Sequence, residues 1–147
     1  MTRRSFEELE SDFEFLDDWE DRYKYVIELG KELAPFDDAF KSAEYKVNGC
    51  VSQVWIKSTF RDDGGSSPRM SFIGDSDALI VKGLIAIVAS LLSDRHVDEI
   101  AKTDAKAALT RLGLHDHLSP QRSNGLAAMV ARIKSDAEQA LLASNVT

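Results

Sequence analysis

The chain has 147 residues, 44% of them apolar and 29% charged, enough to bury a core that needs no disulfide or metal to hold it. Its net charge of −7 argues against nucleic acid or an anionic membrane as partner, because both reward clustered Lys and Arg. A lone cysteine cannot close an internal disulfide, which fits a reducing cytoplasm, and no apolar h-region follows Met1-Thr2-Arg3-Arg4-Ser5, so no secretory signal is expected.

Phe6, Leu9, Phe13 and Leu16 recur at helical spacing between acidic residues and predict a short amphipathic helix. The acidic residues between Glu7 and Asp21 read first as a solvated helix face, with a docking face for a basic partner as the alternative. Asp17-Asp18 supplies a break and a cap. A second helix follows, with Trp19, Tyr23, Val26, Ile27, Gly30 and Leu33 on one face, and stops before Pro35. Three short β-like runs come next, at 44–47, 53–60 and roughly 69–73, the last two joined by the turn-rich Asp62-Asp63-Gly64-Gly65-Ser66-Ser67. Alternation along the middle run, with Val54, Ile56 and Phe60 opposite Gln53, Trp55, Lys57 and Thr59, suits a sheet packed on helices on one side.

Residues 78–92 are almost continuously apolar, too short for a membrane span of about 20 residues and better read as a buried central helix capped by Asp75-Ser76-Asp77. Short helices are expected near 97–102 and 105–112, with Gly113 as a C-cap. Ser119-Pro120 opens a long closing helix with Leu126, Met129, Val130, Ile133 and Ala137 as its stripe. Helices, a three-stranded antiparallel meander and further helices make one α+β two-layer domain spanning 1–147.

Cys50 follows the Asn48-Gly49 turn signal and precedes a strand. A structural thiol belongs inside a helix or strand as a small apolar group, whereas one beside a turn can meet a reactive sulfur on another protein. Gly49-Cys50-Val51-Ser52-Gln53-Val54-Trp55 resembles the signature of the SufE family of sulfur acceptors in iron–sulfur cluster assembly. Three further blocks resemble the same family in the same order: Trp19 to Gly30, Gly74-Asp75-Ser76-Asp77-Ala78 with Ile80 to Ala86, and Leu118-Ser119-Pro120-Gln121-Arg122-Ser123-Asn124-Gly125-Leu126. Asn48, Ser119, Gln121 and Asn124 depart mildly from the usual pattern and bear on partner preference rather than on the thiol.

The resemblance implies a SufE/IscU-like fold and a Cys50 thiolate that takes sulfane sulfur from the persulfide of a cysteine desulfurase, SufS- or CsdA-like, and hands it to a SufBCD-type scaffold. It also implies that the chain stimulates that desulfurase. Pyridoxal phosphate would belong to the partner and the chain would hold no cofactor or metal; the resemblance leaves room for a weak homodimer. Gly49, Val51, Ser52 and Gln53 would form the supporting loop, with Gly49 permitting its movement and Trp55 or nearby apolar residues sheltering the sulfur. The thiolate needs stabilisation, for which loop amides, Lys46 or a partner group are the candidates.

Arg122 reads either as a brace for the cysteine loop through carbonyls or as an ordinary surface residue. Asp75 and Asp77 are read as helix caps and Lys82 as a side chain reaching out to water. His115-Asp116-His117, with His96 upstream, is too thin a ligand set for a structural metal. Three other functions stand beside the carrier: an iron–sulfur scaffold, which one cysteine per chain disfavours, a one-cysteine redox protein, which would want a His or Arg beside the thiol, and a plain protein-binding module in which Cys50 is incidental.

Overall fold

A computed structural model describes residues 5–49, 52–65 and 67–146, apart from the side chains of residues 115 and 144–146. Helix α1 (Phe6–Phe15) starts where the Ser5 hydroxyl accepts the Glu8 N–H at 3.2 Å, and it buries Phe6, Leu9 and Phe13. Leu16, expected on the same stripe, ends the helix and lies half-buried. Helix α2 (Trp19–Lys31) is capped by Asp18, whose carboxylate accepts the Glu20 N–H at 2.8 Å. Arg22 joins the two helices: its guanidinium donates to the carbonyls of Phe13 (2.8 and 3.1 Å) and Leu16 (2.7 Å) and lies over the Trp19 ring. Those carbonyls belong to the last turn of α1, where no later N–H exists to satisfy them.

A 3-10 turn (Asp38–Phe40) leads to β1 (Val54–Arg61), which pairs antiparallel along its whole length with β2 (Arg69–Ser76), Val54 opposite Ser76 and Arg61 opposite Arg69. The third strand of the sheet is not 44–47. That segment gives only the isolated Lys46–Trp55 bridge, held by Val47 N–H to the Val54 carbonyl (2.8 Å) and Ile56 N–H to the Tyr45 carbonyl (2.9 Å). A turn in which Tyr45 and Lys46 both donate to the Ser42 carbonyl leaves too little extended chain before Asn48. Instead β3 (Arg95–His96) pairs with β2 on its other edge, after a turn at Asp94 with φ 60°.

Helix α3 (Leu79–Leu92) is the buried centre, flanked by α2 and by the inner face of the sheet. It approaches α2 closely because both helices carry glycine at the crossing. A methyl group on Gly30 would lie 2.7 Å from the Gly83 nitrogen, and one on Gly83 would collide with the Val26 carbonyl. The expected cap at 75–77 does not form: β2 runs on through Ser76, and the residue before α3, Ala78, has no capping side chain. After β3 come α4 (Val97–Lys102), α5 (Ala105–Arg111), the unexpected single turn α6 (Leu114–His117) and the long α7 (Pro120–Val146).

Val54, Ile56, Met70 and Phe72 pack with α3 and with Met129, Ile133 and Ala137 of α7 in one core. The opposite face of β1 is covered by the 36–45 segment: Lys41 lies 5.6 Å over Trp55, and Lys57 lies 4.8 Å over Phe40. The result is the expected α+β architecture, a three-stranded antiparallel sheet with helices before and after it. Among the described residues no helix is long and apolar enough to cross a membrane.

Candidate functional site

Cys50 and Val51 lie outside the described residues; their neighbours on both sides are described and define the site. On the N-terminal side, Gly49 has φ 91°, a left-handed conformation open to glycine and strained for other residues. It lies against α7, where an added methyl would meet the Ala128 side chain at 3.4 Å. The stem before it is pinned to β1 through Val47 and to α7 through Arg132, whose guanidinium donates to the carbonyls of Glu44 (2.9 Å) and Lys46 (3.2 Å).

On the C-terminal side, Gln53 is held by a reciprocal pair of bonds. Its N–H donates to the Asp77 carboxylate at 3.1 Å, and the Asp77 N–H donates to the Gln53 carbonyl at 3.3 Å. Asp77 therefore fastens the cysteine loop rather than capping α3. Asp75 is no cap either. It pairs with Lys41 at 3.3 Å and with Lys82 at 3.4 Å. Burial pushes the Asp75 carboxyl up, but the Ser76 N–H, Lys41 and Lys82 outweigh it and hold the group below its ordinary value. Lys41, between the Asp38 and Asp75 carboxylates, is raised. Lys82 thus has a partner at the edge of the core instead of only reaching solvent.

Ser52 lines a cavity of about 320 Å³ between α3 and α7. Its floor is apolar, made by Val54, Val81, Leu84, Leu126 and Met129, and its rim is polar, made by Ser52, Ser119, Gln121 and Arg122. Ser119 caps α7, its hydroxyl accepting the Arg122 N–H at 3.2 Å, so the positive end of a long helix dipole sits at the rim. Arg122 is exposed there, and among the described residues its side chain makes no hydrogen bond. Trp55, 9% exposed beneath Lys41, is not part of the cavity lining. Val54 and the α3 and α7 side chains supply the apolar walls instead. Lys46 is exposed on the pinned stem.

Of the residues expected from the sequence, Ser52 and Arg122 line one cavity, Gly49 lies against Ala128 of α7, and Gln53 is held by Asp77. Arg132 and the fastening role of Asp77 are not among those expectations. The available signal for Arg132 is its i,i+4 spacing from Asp136 at the margin of the α7 stripe; the two pair at 3.2 Å. His117 stacks on Trp19 with ring centroids 3.9 Å apart, while His96 bonds Asp63 and Glu99. The side chain of His115 is outside the described set, and no group of three or more metal-type ligands occurs among the described residues.

Comparison with known proteins identifies the family and the fold. Residues 7–137 match the family model "SufE: Fe-S metabolism associated domain". An uncharacterized SufE-like protein of Rhizobium meliloti (strain 1021) is 48% identical over 134 residues, 91% of this chain and 95% of that one. An uncharacterized SufE-like protein of Rhizobium etli is 50% identical over 134 residues, 91% and 90% of the two chains. The solution structure of a hypothetical protein from Thermus thermophilus shares the fold, with a TM-score of 0.71 at 17% identity over 97% of this chain and 99% of that one. The chain belongs to the SufE family, a domain associated with iron–sulfur metabolism.

Proposed function

We propose that the protein is a sulfur carrier that works with a pyridoxal-phosphate-dependent cysteine desulfurase, Cys50 being the acceptor. The observation that carries this reading is the pair of fastened stems, at Val47 and at Gln53, on either side of the only cysteine of the sequence, with Ser52 of the same loop lining a cavity between α3 and α7. The Cys50 thiolate attacks the terminal sulfur of the donor persulfide. A new S–S bond forms at Cys50, the donor's S–S bond breaks, and the donor cysteine leaves as a thiolate. The proton stays on the transferred sulfur, and no net oxidation or reduction occurs.

The chain's own task is to ionise, present and shelter one sulfur. An ordinary thiol, with a pKa near 8.5, is only a few per cent thiolate at neutral pH, so the reading calls for positive charge near the sulfur; Arg122 and the α7 N-terminus at the cavity rim are the groups proposed for it. The cavity that Ser52 lines, apolar at its floor and polar at its rim, is where the reading puts the persulfide that stray thiols would otherwise reduce. The reading asks the turn ahead of Cys50 to change shape when the donor docks, and Gly49, at φ 91°, is the residue there whose backbone is least restricted.

The natural donor is a SufS- or CsdA-like desulfurase in the cytoplasm and the natural recipient a SufBCD-type scaffold. A scaffold role for this chain itself is disfavoured, because clusters are held by several thiolates and the sequence has one. The test is alanine release by a desulfurase with and without the protein. Stimulation by the wild type and none by Cys50→Ser is expected; full stimulation by Cys50→Ser would make the chain a docking module with an incidental thiol.

A further inference from the structure

We infer that Arg132 is a positioning residue for sulfur transfer, acting on Cys50 through the backbone of the stem that leads to it; the inference rests on the acceptor role proposed above. Arg132 lies on α7, 86 and 88 residues from the carbonyls of Lys46 and Glu44 that it binds, at 3.2 and 2.9 Å. Two nitrogens of one planar fork hold two carbonyls of one stem, a geometry a point-charge ammonium cannot reproduce. The fork is itself fixed. Arg132 Nε donates to Asp136 at 3.2 Å, and the other oxygen of Asp136 accepts the Ser58 hydroxyl of β1 at 2.9 Å.

The chain Ser58–Asp136–Arg132–Lys46 thus ties β1, α7 and the stem into one rigid frame, just ahead of the cysteine. The stem needs such a tie because it is barely a strand: among the described residues a single bridge and two backbone bonds join it to β1. Without Arg132 the Glu44 and Lys46 carbonyls turn to water, and the entry angle of the Asn48-Gly49 turn is no longer set by α7. The cavity is also built on α7, through Gly125, Leu126 and Met129. Arg132 therefore fixes the stem ahead of Cys50 relative to the helix that lines the cavity beside Ser52.

The test compares wild type, Arg132→Met and Arg132→Lys in two assays. One is alkylation of Cys50 by iodoacetamide in the isolated protein. The other is the rate of sulfur uptake from a desulfurase supplied with free cysteine, across desulfurase concentrations. For Arg132→Met the inference predicts alkylation roughly tenfold faster, the factor expected for loss of a charge-assisted hydrogen bond. It also predicts saturating uptake slowed roughly tenfold or more, with the half-saturating desulfurase concentration unchanged. Arg132→Lys, which keeps the Asp136 pair but cannot span both carbonyls, should move both readouts the same way by less, and it serves if Arg132→Met does not fold.

Wild-type values in both assays for the folded variants would overturn the inference. A raised half-saturating concentration with unchanged alkylation would also overturn it, marking a docking contact instead. If the wild type accepted no sulfur while Arg132→Met still accelerated alkylation, the acceptor reading would fall, and with it a role in sulfur transfer, leaving only a tie that holds the stem before Cys50.

Discussion

Asp77 accepts the backbone N–H of Gln53 at 3.1 Å and returns its own N–H to the Gln53 carbonyl at 3.3 Å, a two-way fastening between the exit of the cysteine loop and the start of α3. A carboxylate bonded to a main-chain N–H is a charge-assisted contact, and its loss frees the backbone rather than a side chain. Asp77→Ala should therefore raise Cys50 alkylation in the isolated protein by about three- to tenfold while leaving the far-ultraviolet circular dichroism unchanged. Unchanged alkylation would show that Gln53 is held by the strand alone.

Gly49 sits at φ 91°, where an L side chain costs about 1–2 kcal/mol, and its missing methyl faces Ala128 on α7. Gly49→Ala should slow sulfur uptake more than it lowers stability, since the strain falls on the turn directly ahead of Cys50. Stopped-flow uptake and thermal melting of the same sample separate the two effects. Unaltered uptake would end the idea that this turn moves.

Gly83 packs on the Val26 backbone at the α2–α3 crossing, with no room for a methyl group. Gly83→Ala should destabilise the protein by about 1–3 kcal/mol through overpacking, despite alanine's better helix propensity. Urea denaturation gives the number. A stabilised variant would contradict the close crossing.

His96 lies between the Asp63 carboxylate, at 3.0 Å, and Glu99, at 3.2 Å, with Arg69 behind Asp63. The bond to Asp63, then that to Glu99, raise its pKa above 6.5, against burial and the Arg69 charge. Asp63, bonded to His96 and Arg69, lies well below the usual carboxylate range. A raised histidine stabilises the fold fully below the unfolded value of about 6.5 and stops doing so as pH rises through the folded value. The stability gap between wild type and His96→Gln should therefore narrow from mildly acidic pH toward alkaline pH in chemical denaturation. A gap that widens would show that His96 works as a neutral group.

The parts legible in the sequence are those with a strong local period. The stripes of α1, α2 and α7 and the apolar run of α3 fold nearly as read, because each buries one face or all faces in the common core. The third strand is not legible: 44–47 has β-like residues, but the turn on Ser42 uses up half of it. The true partner, Arg95–His96, is two residues long and carries no pattern at all. At the site, the cysteine motif is contiguous and can be recognised directly. Asp77 reads as a cap because capping is the local use of such a residue, whereas its actual bond spans 24 residues. Arg132 reaches 86 residues back, and only the folded chain brings it there.

The central claim is met most directly by intact-mass spectrometry after the protein is mixed with a cysteine desulfurase and free cysteine. Gain of a single sulfur atom, mapped by peptide analysis to Cys50, removed by reductant and missing from Cys50→Ser, is the predicted result. An unchanged mass, or sulfur carried equally well by the serine variant, would contradict the account.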